Sequence, residues 1–139
     1  MSGQPSRVPR HDPRELAAIF AGGMLGALAR VALAEAFPHA RDAWPWTTFA
    51  VNLAGALLLG LAVTRLPAAS YRRPFVGIGV CGALTTFSTF QLELLRMLDG
   101  GSWILVLVYA TVSLVGGLAA VRIGIARGRG GRSREGSRA

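Results

Sequence analysis

The chain has 139 residues, of which 52% are hydrophobic and 16% are charged, and its formal net charge is +8. Its mean hydropathy is positive, at +0.44. A soluble domain needs a polar shell along its whole length, whereas more than half of the charges here lie in residues 1–15 and 122–139. This pattern excludes a soluble α/β enzyme and a disordered protein. The single Cys81 excludes an intrachain disulfide scaffold.

Four segments are long and apolar enough to span a membrane, because a spanning helix needs about 20 mainly apolar residues. The predicted spans are residues 16–34, 47–65, 75–97 and 103–122. Helices satisfy their own backbone hydrogen bonds in lipid, so we predict an all-α membrane protein. Residues 1–15 are predicted to form a cytoplasmic tail, residues 16–125 the membrane domain, and residues 126–139 a disordered cytoplasmic tail rich in Arg and Gly.

Arginine is unevenly distributed between the two ends of the predicted bundle. Four spans place both termini on one side, which also holds Arg65, Arg72 and Arg122. The opposite side has Arg41 and Arg96, offset by acidic residues. The positive-inside rule therefore predicts both termini in the cytoplasm and one fixed orientation in the cell membrane.

The Arg/Gly-rich tail after Arg127 is also typical of RNA-binding segments. We interpret it instead as a juxtamembrane segment attracted to the anionic headgroups of the lipid bilayer. The sequence therefore predicts no nucleic-acid partner.

The first two spans carry small and polar residues at helical spacing. Gly22, Gly26 and Arg30 are four apart on the first span, a pattern typical of close helix packing that ends in an interfacial arginine. Thr48 and Asn52 are four apart on the second span. A lone amide in an uncharged span needs a partner helix, water or a ligand. An interhelical hydrogen bond and a ligand site both remain open for Asn52.

The third span has three glycines and four hydroxyl residues between Gly77 and Phe90. Glycine weakens a helix, and Ser and Thr compete for its backbone groups, so we predict a break between Gly82 and Thr86 in mid-membrane. Broken helices expose carbonyl groups to cations and N–H groups to anions. Packing through small residues is the alternative.

Aromatic and hydroxyl residues follow on the third and fourth spans. Phe87 and Phe90 are three apart and share a helix face, where their electropositive ring edges can favour an anion. Core packing is the alternative for both rings. Tyr109 and Ser113 are four apart on the fourth span. The sequence has no nucleophile–base pair, phosphate loop or metal-ligand cluster, so we predict that the protein is not an enzyme.

Three motifs together resemble those of the Fluc (CrcB) family of fluoride channels, and the resemblance covers about residues 16–125. They are Gly-Gly-Met-Leu-Gly-Ala-Leu-Ala-Arg at 22–30, Thr-Phe-Ala-Val-Asn-Leu-Ala-Gly at 48–55, and Gly-Ala-Leu-Thr-Thr-Phe-Ser-Thr-Phe at 82–90. The resemblance implies an antiparallel dimer with two pores, through which fluoride leaves the cytoplasm passively and its toxicity is reduced.

The same resemblance implies roles for individual residues. Asn52 would be a pore donor, and Phe87 and Phe90 would line the fluoride path. Main-chain carbonyls of Gly82 and Thr85 from both subunits would hold a structural Na⁺ that is not transported. The further pore or interface residues would be Ser88, Thr89, Thr48, Tyr109 and Ser113, and Arg30 would be structural or near the vestibule.

Two features depart from the family pattern. Gly117 stands where some members have a serine, so a third polar contact below Tyr109 and Ser113 is not expected. The uneven arginine distribution favours one orientation, which indicates a heterodimer with an oppositely oriented homologue rather than a homodimer.

Two other functions are consistent with four short spans. A small drug/proton antiporter would need a buried carboxylate at mid-membrane, and the sequence places neither Glu15 nor Glu93 there. A membrane scaffold without transport activity would explain the glycine stripes, but it leaves the Thr and Phe residues beside the predicted break unexplained.

Overall fold

The computed structural model describes residues 12–38 and 43–136, with the side chains of those up to Gly130. Most of the predicted N-terminal tail, Arg41 and residues 137–139 lie outside the described residues. The described part is helical and connected by short loops. Its elements are α1 (Pro13–Ala36), α2 (Trp46–Arg65), α3 (Arg72–Pro74), a π-helical turn (Phe75–Cys81), α4 (Gly82–Leu84), α5 (Phe87–Asp99) and α6 (Trp103–Gly136).

Four stretches of helix are long and apolar enough to cross a membrane. They are Pro13–Ala36, Trp46–Arg65, Arg72–Asp99 and Trp103–Gly130. Large apolar side chains point outward along them; Phe20 is 70% exposed and Ile104 is 81% exposed. Such a surface suits lipid, and the prediction of a four-span, all-α membrane protein is confirmed.

The first helix begins earlier than residue 16 because its start is capped. The Asp12 carboxylate accepts a 2.9 Å hydrogen bond from the N–H of Arg14. Pro13 occupies the first helical turn, where its missing N–H costs nothing.

The helices pack as two close pairs, α2 along α6 and α1 along the third stretch. Gly22 and Gly26 of α1 lie directly against the main-chain carbonyls of Phe75 and Val80, so that a Cβ at either glycine would collide with backbone. These glycines therefore let two backbones approach closely, as the stripe on the first span predicts.

The last helix differs from the prediction of a disordered segment from residue 126, because α6 continues to Gly136. Past the predicted span end at residue 122, Gly124 of α6 lies against the backbone of Leu57 and Gly60. One turn further on, Gly128 lies against Thr64. Of the glycines in the predicted tail, Gly128 fits against α2, whereas Gly130 meets nothing within 4 Å. The contact at Gly128 supports the additional turns.

A small hydrophobic core lies between α5 and α6. Phe90, Met97 and Tyr109 are buried together, and Trp44 from the α1–α2 loop packs on them. The turn between α5 and α6 contains Gly101 at φ 73°, a conformation that glycine adopts without steric cost. This turn returns the chain so that α6 can cover the buried face of α5.

Candidate functional site

The third stretch is interrupted at Thr85 and Thr86, where both residues have extended backbone. Asn52 of α2 bonds the interruption twice. Its Oδ1 accepts from the N–H of Thr86 at 2.8 Å, and its Nδ2 donates to the carbonyl of Thr86 at 3.2 Å. The partner that the lone amide requires is thus the main chain of this interruption, on a neighbouring helix.

Two side chains take over N–H groups that a continuous helix would use internally. In such a helix, the N–H of Thr86 would donate to the carbonyl of Gly82, but it donates to Asn52. Likewise the N–H of Thr89 would donate to the carbonyl of Thr85, but it donates to Oγ1 of Thr86 at 3.2 Å. The carbonyls of Gly82 and Thr85 are therefore released from the helical ladder.

Released carbonyl oxygens are the kind of ligand that a hard cation prefers. Gly82 is exposed, and no atom lies within 4 Å of the position that a Cβ would take there. The described residues include no group of three His, Cys, Asp or Glu that could hold a metal. The donor set at the interruption, main-chain oxygen, fits the structural Na⁺ that the family resemblance implies.

A hydroxyl cluster starts α5. The Oγ1 of Thr86 caps the helix, donates to Oγ1 of Thr89 at 3.0 Å and lies 3.3 Å from Oγ of Ser88. These neutral groups stand at a helix N-terminus, where the helix dipole favours negative charge. The hydroxyl groups of Ser88 and Thr89 therefore form one cluster with that of Thr86.

A cavity of about 240 Å³ opens at the interruption. Its lining combines donors with aromatic rings and includes no charged side chain; the lining residues are Asn52, Thr85, Thr86, Phe87, Phe90, Ser113 and Leu114. The two phenylalanine rings lie 6.1 Å apart, Phe87 being 69% exposed and Phe90 only 8% exposed. Five residues singled out from the sequence thus surround one cavity, which is open on the Phe87 side.

Thr48 and Tyr109 do not line this cavity; they meet behind it at Glu93. The hydroxyl of Thr48 donates to Oε1 of Glu93 at 2.5 Å, and that of Tyr109 donates to Oε2 at 2.7 Å. All three residues are buried, Glu93 being 3% exposed. The ring of Tyr109 lies 5.2 Å from that of Phe90, so this cluster supports the cavity wall.

Trp44 covers the cluster from the α1–α2 loop. Its ring lies edge-on to Tyr109, with centroids 5.1 Å apart, and edge-on to Phe49 at 5.6 Å. Sequence reasoning missed the roles of Trp44 and Glu93. A signal for Glu93 was present, because it lies three residues after Phe90 on the same helix face.

Arg30 lies apart from the cavity. It is half-buried on α1, and its Nε is buried without a hydrogen-bond partner among the described residues. It is not among the residues that line the Asn52 cavity, and its structural role stays a prediction.

The fold and the site define a small four-span membrane protein with an uncharged, donor-lined cavity at a helix interruption. Residues 17–125 match the family described as CrcB-like protein, Camphor Resistance (CrcB). The chain belongs to the CrcB family.

Relatives extend this match over most of the chain. A protein of Mycobacterium bovis named fluoride-specific ion channel FluC 1 is 52% identical over 120 residues, which cover 84% of this chain and 91% of that protein. A protein of Bordetella petrii named fluoride-specific ion channel FluC is 43% identical over 118 residues, covering 82% of this chain and 91% of the relative. A FluC 2 of Nocardia farcinica is 38% identical over 129 residues, covering 90% and 92%.

Proposed function

We propose that this protein is a fluoride-specific ion channel, not an enzyme, and that it exports fluoride passively from the cytoplasm. The observation that carries the proposal is the cavity of neutral donors and phenylalanine rings at the helix interruption, in a chain 52% identical to a protein named a fluoride-specific ion channel. Hydrogen fluoride enters cells as a neutral molecule and dissociates inside, so a channel relieves the trapped anion. An inside-negative potential favours export by about 2.3 kcal/mol per charge per 100 mV.

The cavity lining suits a dehydrated anion, because it offers hydrogen-bond donors and ring edges but no charged side chain. Asn52 uses one N–H on Thr86, and an amide NH₂ has a second N–H to donate. Phe87 and Phe90 offer electropositive ring edges. Ser88, Thr89 and Ser113 add hydroxyl donors, while Thr48 and Tyr109 set the position of Phe90 through Glu93.

The path needs a second subunit, because a single chain leaves one of its walls open. Phe87 is 69% exposed, and Gly82 and Ser88 are exposed as well. A pore that lies at mid-membrane needs protein on all sides, since lipid cannot satisfy its polar groups. We propose an antiparallel dimer that closes the cavity at the interrupted third span.

A structural Na⁺ at the dimer centre would be held by the carbonyls of Gly82 and Thr85 from both subunits. The supporting observation is that Asn52 and Thr86 occupy the N–H groups that these carbonyls would otherwise accept from. The ion would fix the two interruptions relative to each other and would not be transported.

The uneven distribution of arginine between the two ends of the helix bundle supports a heterodimer with an oppositely oriented homologue. In this arrangement both termini of this chain lie in the cytoplasm. Arg65 ends the second apolar stretch, Arg72 begins the third, and Arg122 lies in the later part of the fourth. A reporter fused to the C-terminus tests the orientation. Cytoplasmic signal alone supports the heterodimer, and equal signal on both sides of the membrane contradicts it.

Growth of a bacterium that lacks its own fluoride exporter tests the function. Expression of this chain, alone or with an oppositely biased homologue, is expected to restore growth in fluoride, and Asn52→Leu is expected to abolish the rescue. A scaffold without transport activity predicts no rescue in either combination.

The burial of Glu93 favours a proton-coupled antiporter, because that function requires a buried carboxylate. Hydroxyl donors from two helices nevertheless occupy both of its oxygens, as a structural carboxylate requires. A proton gradient separates the two functions: an antiporter accumulates its substrate against a gradient when pH differs across the membrane, whereas a channel does not.

A further inference from the structure

The side chain of Thr85, the first residue of the interruption, is held at both of its branches. Its hydroxyl donates to the carbonyl of Cys81 at 2.9 Å. Its methyl group lies against Gly55 of α2, so close that a Cβ on this glycine would collide with it. Because a β-branched side chain has few rotamers, these two contacts together fix Thr85 in one orientation.

The backbone of Thr85 belongs to a helix on one side only. Its N–H donates to the carbonyl of Cys81 at 3.1 Å, as in a helix, and its φ of −72° is helical. Its ψ of 151° is extended, and this rotation turns the Thr85 carbonyl away from the direction that the carbonyls of a helix share. Thr85 therefore ends α4 and redirects its own carbonyl group.

The peptide group between Thr85 and Thr86 is also held from its N–H side. The N–H of Thr86 donates to Oδ1 of Asn52 at 2.8 Å. This peptide bond is trans, so the carbonyl of Thr85 points opposite to that N–H and away from Asn52. A carbonyl that is free of the helical ladder and directed away from Asn52 is available to a ligand on that side.

Helix α2 thus contacts the interruption at two positions three residues apart, which share one helix face. Asn52 bonds the main chain of Thr86, and Gly55 accommodates the methyl group of Thr85. Gly22 of α1 lies against backbone, whereas Gly55 lies against a side chain that a substitution can shorten. A side chain at position 55 would push Thr85 away from α2 and so rotate the peptide group that Asn52 holds.

We propose that Gly55 and the side chain of Thr85 are positioning residues, which fix the Thr85–Thr86 peptide so that the Thr85 carbonyl is presented to Na⁺. This role rests on the proposed channel function and its structural Na⁺. Gly55 is not among the residues that line the fluoride cavity, so it acts on the cation through Thr85 alone.

The dissociation constant of Na⁺ tests this role. It is obtained from melting temperatures in detergent over a series of NaCl concentrations, with choline chloride keeping the total salt constant. The protein is the dimer that the chain forms, alone or with an oppositely oriented homologue. Gly55→Ala is expected to raise the dissociation constant by about tenfold, because overpacking displaces Thr85.

A second substitution is expected to reverse this effect. Thr85→Ser removes the methyl group and keeps the hydroxyl, so Gly55→Ala/Thr85→Ser should return the dissociation constant to that of Thr85→Ser alone. Gly116→Ala on α6 is the matched control, because a Cβ there would make ordinary contact with Leu53 at 3.5 Å. It should leave the dissociation constant unchanged.

An equal fall in melting temperature with and without Na⁺ in Gly55→Ala would show a packing effect alone and overturn the proposal. A double variant that binds Na⁺ no better than Gly55→Ala would also overturn it. If Gly55→Ala does not fold, Thr85→Val decides the matter, since it keeps the branched shape and loses the bond to Cys81. Weaker Na⁺ binding by that variant supports the role, and an unchanged dissociation constant contradicts it.

Fluoride efflux from liposomes separates this role from the channel function. Efflux by the unaltered chain, without any effect of Na⁺ on its melting, contradicts the cation site and the role of Gly55 but leaves the channel function intact. Na⁺-dependent melting that Gly55→Ala weakens, in a chain without efflux, supports the role and contradicts the channel function.

Discussion

The hydroxyl of Tyr109 donates a 2.7 Å hydrogen bond to Oε2 of Glu93 and so joins α6 to α5 inside the bundle. The other oxygen of the same carboxyl group accepts from Thr48 of α2. Three helices that surround the candidate pore therefore meet at one buried carboxyl group. Because the Tyr109 ring also packs on Phe90, this junction sets the position of the more deeply buried ring of the cavity.

Removal of the Tyr109 hydroxyl tests the junction. Tyr109→Phe keeps the ring and removes the buried hydrogen bond to Oε2 of Glu93, which costs about 1–3 kcal/mol. We expect lower unfolding free energy and reduced fluoride flux, measured by denaturation in detergent and by liposome efflux. An unchanged unfolding free energy would show that the bond contributes nothing to the bundle.

Asn52 is expected to be required for flux because it holds the interruption open. Asn52→Leu removes both bonds to Thr86 while keeping a similar volume, and the N–H of Thr86 then returns to the helical ladder or stays unpaired. We expect at least a tenfold loss of fluoride efflux from liposomes. Thr64→Ala, whose hydroxyl donates to carbonyls of its own helix, is the matched control on α2 and should retain flux. Flux retained by Asn52→Leu would contradict this role.

Two glycines about one turn apart on α1 allow the close contact between α1 and the third stretch to be tested, because only one of them lies in that contact. A Cβ at Gly26 would meet the carbonyl of Val80, whereas a Cβ at Gly23 would meet nothing within 4 Å. Gly26→Ala should cost about 1–3 kcal/mol through overpacking. Gly23→Ala should be neutral or slightly stabilising, since alanine favours the helix. Thermal denaturation of the two variants in detergent measures the difference, and equal midpoints would contradict the close contact.

A hydrogen bond between Tyr71 and Asp12, which precedes α1, is expected to be sensitive to acid. Tyr71 donates to Oδ2 of Asp12 at 2.6 Å. This bond, together with the N–H of Arg14, holds the pKa of Asp12 below its ordinary 3.8, and the same bond raises the pKa of Tyr71 above 10.0. The hydrogen bond therefore contributes stability at pH values between 3.8, the ordinary pKa of Asp12, and 10.0, the ordinary pKa of Tyr71. It is lost as pH falls through the lowered pKa of Asp12, or rises through the raised pKa of Tyr71.

Tyr71→Phe should therefore lower the melting temperature at pH 7, and this difference should disappear as pH falls through the lowered pKa of Asp12. Melting curves in detergent across this range measure it. A difference between the two proteins that stays constant from pH 7 down to the pH at which Asp12 is fully protonated would show that the contact contributes no acid sensitivity.

Hydropathy was enough to predict four spans, because lipid imposes length and apolarity on each segment by itself. The need of Asn52 for a partner was also predictable, since an amide cannot remain unpaired in an apolar span. That its partner is Thr86 depends on how α2 packs beside the interruption, which spacing along one helix does not contain.

Glu93 and the end of α6 show where such local reasoning stops. A carboxylate near the end of a span is expected at the membrane surface, and only Thr48 and Tyr109 from other helices make its burial favourable. Gly124 and Gly128 weaken an isolated helix, but against α2 they allow a contact that extends it. Both differences arise from tertiary contacts that outweigh local propensity.

Fluoride efflux from liposomes, read with a fluoride electrode and with chloride as the control anion, tests the central claim most directly. Purified chain, alone or with an oppositely oriented homologue, should release fluoride rapidly and chloride negligibly. Phe87→Ile, which removes a ring edge from the cavity, should abolish release, while Phe20→Ile on the exposed face of α1 should not. Absence of fluoride release in both combinations, or equal release of chloride, would contradict a fluoride-specific channel.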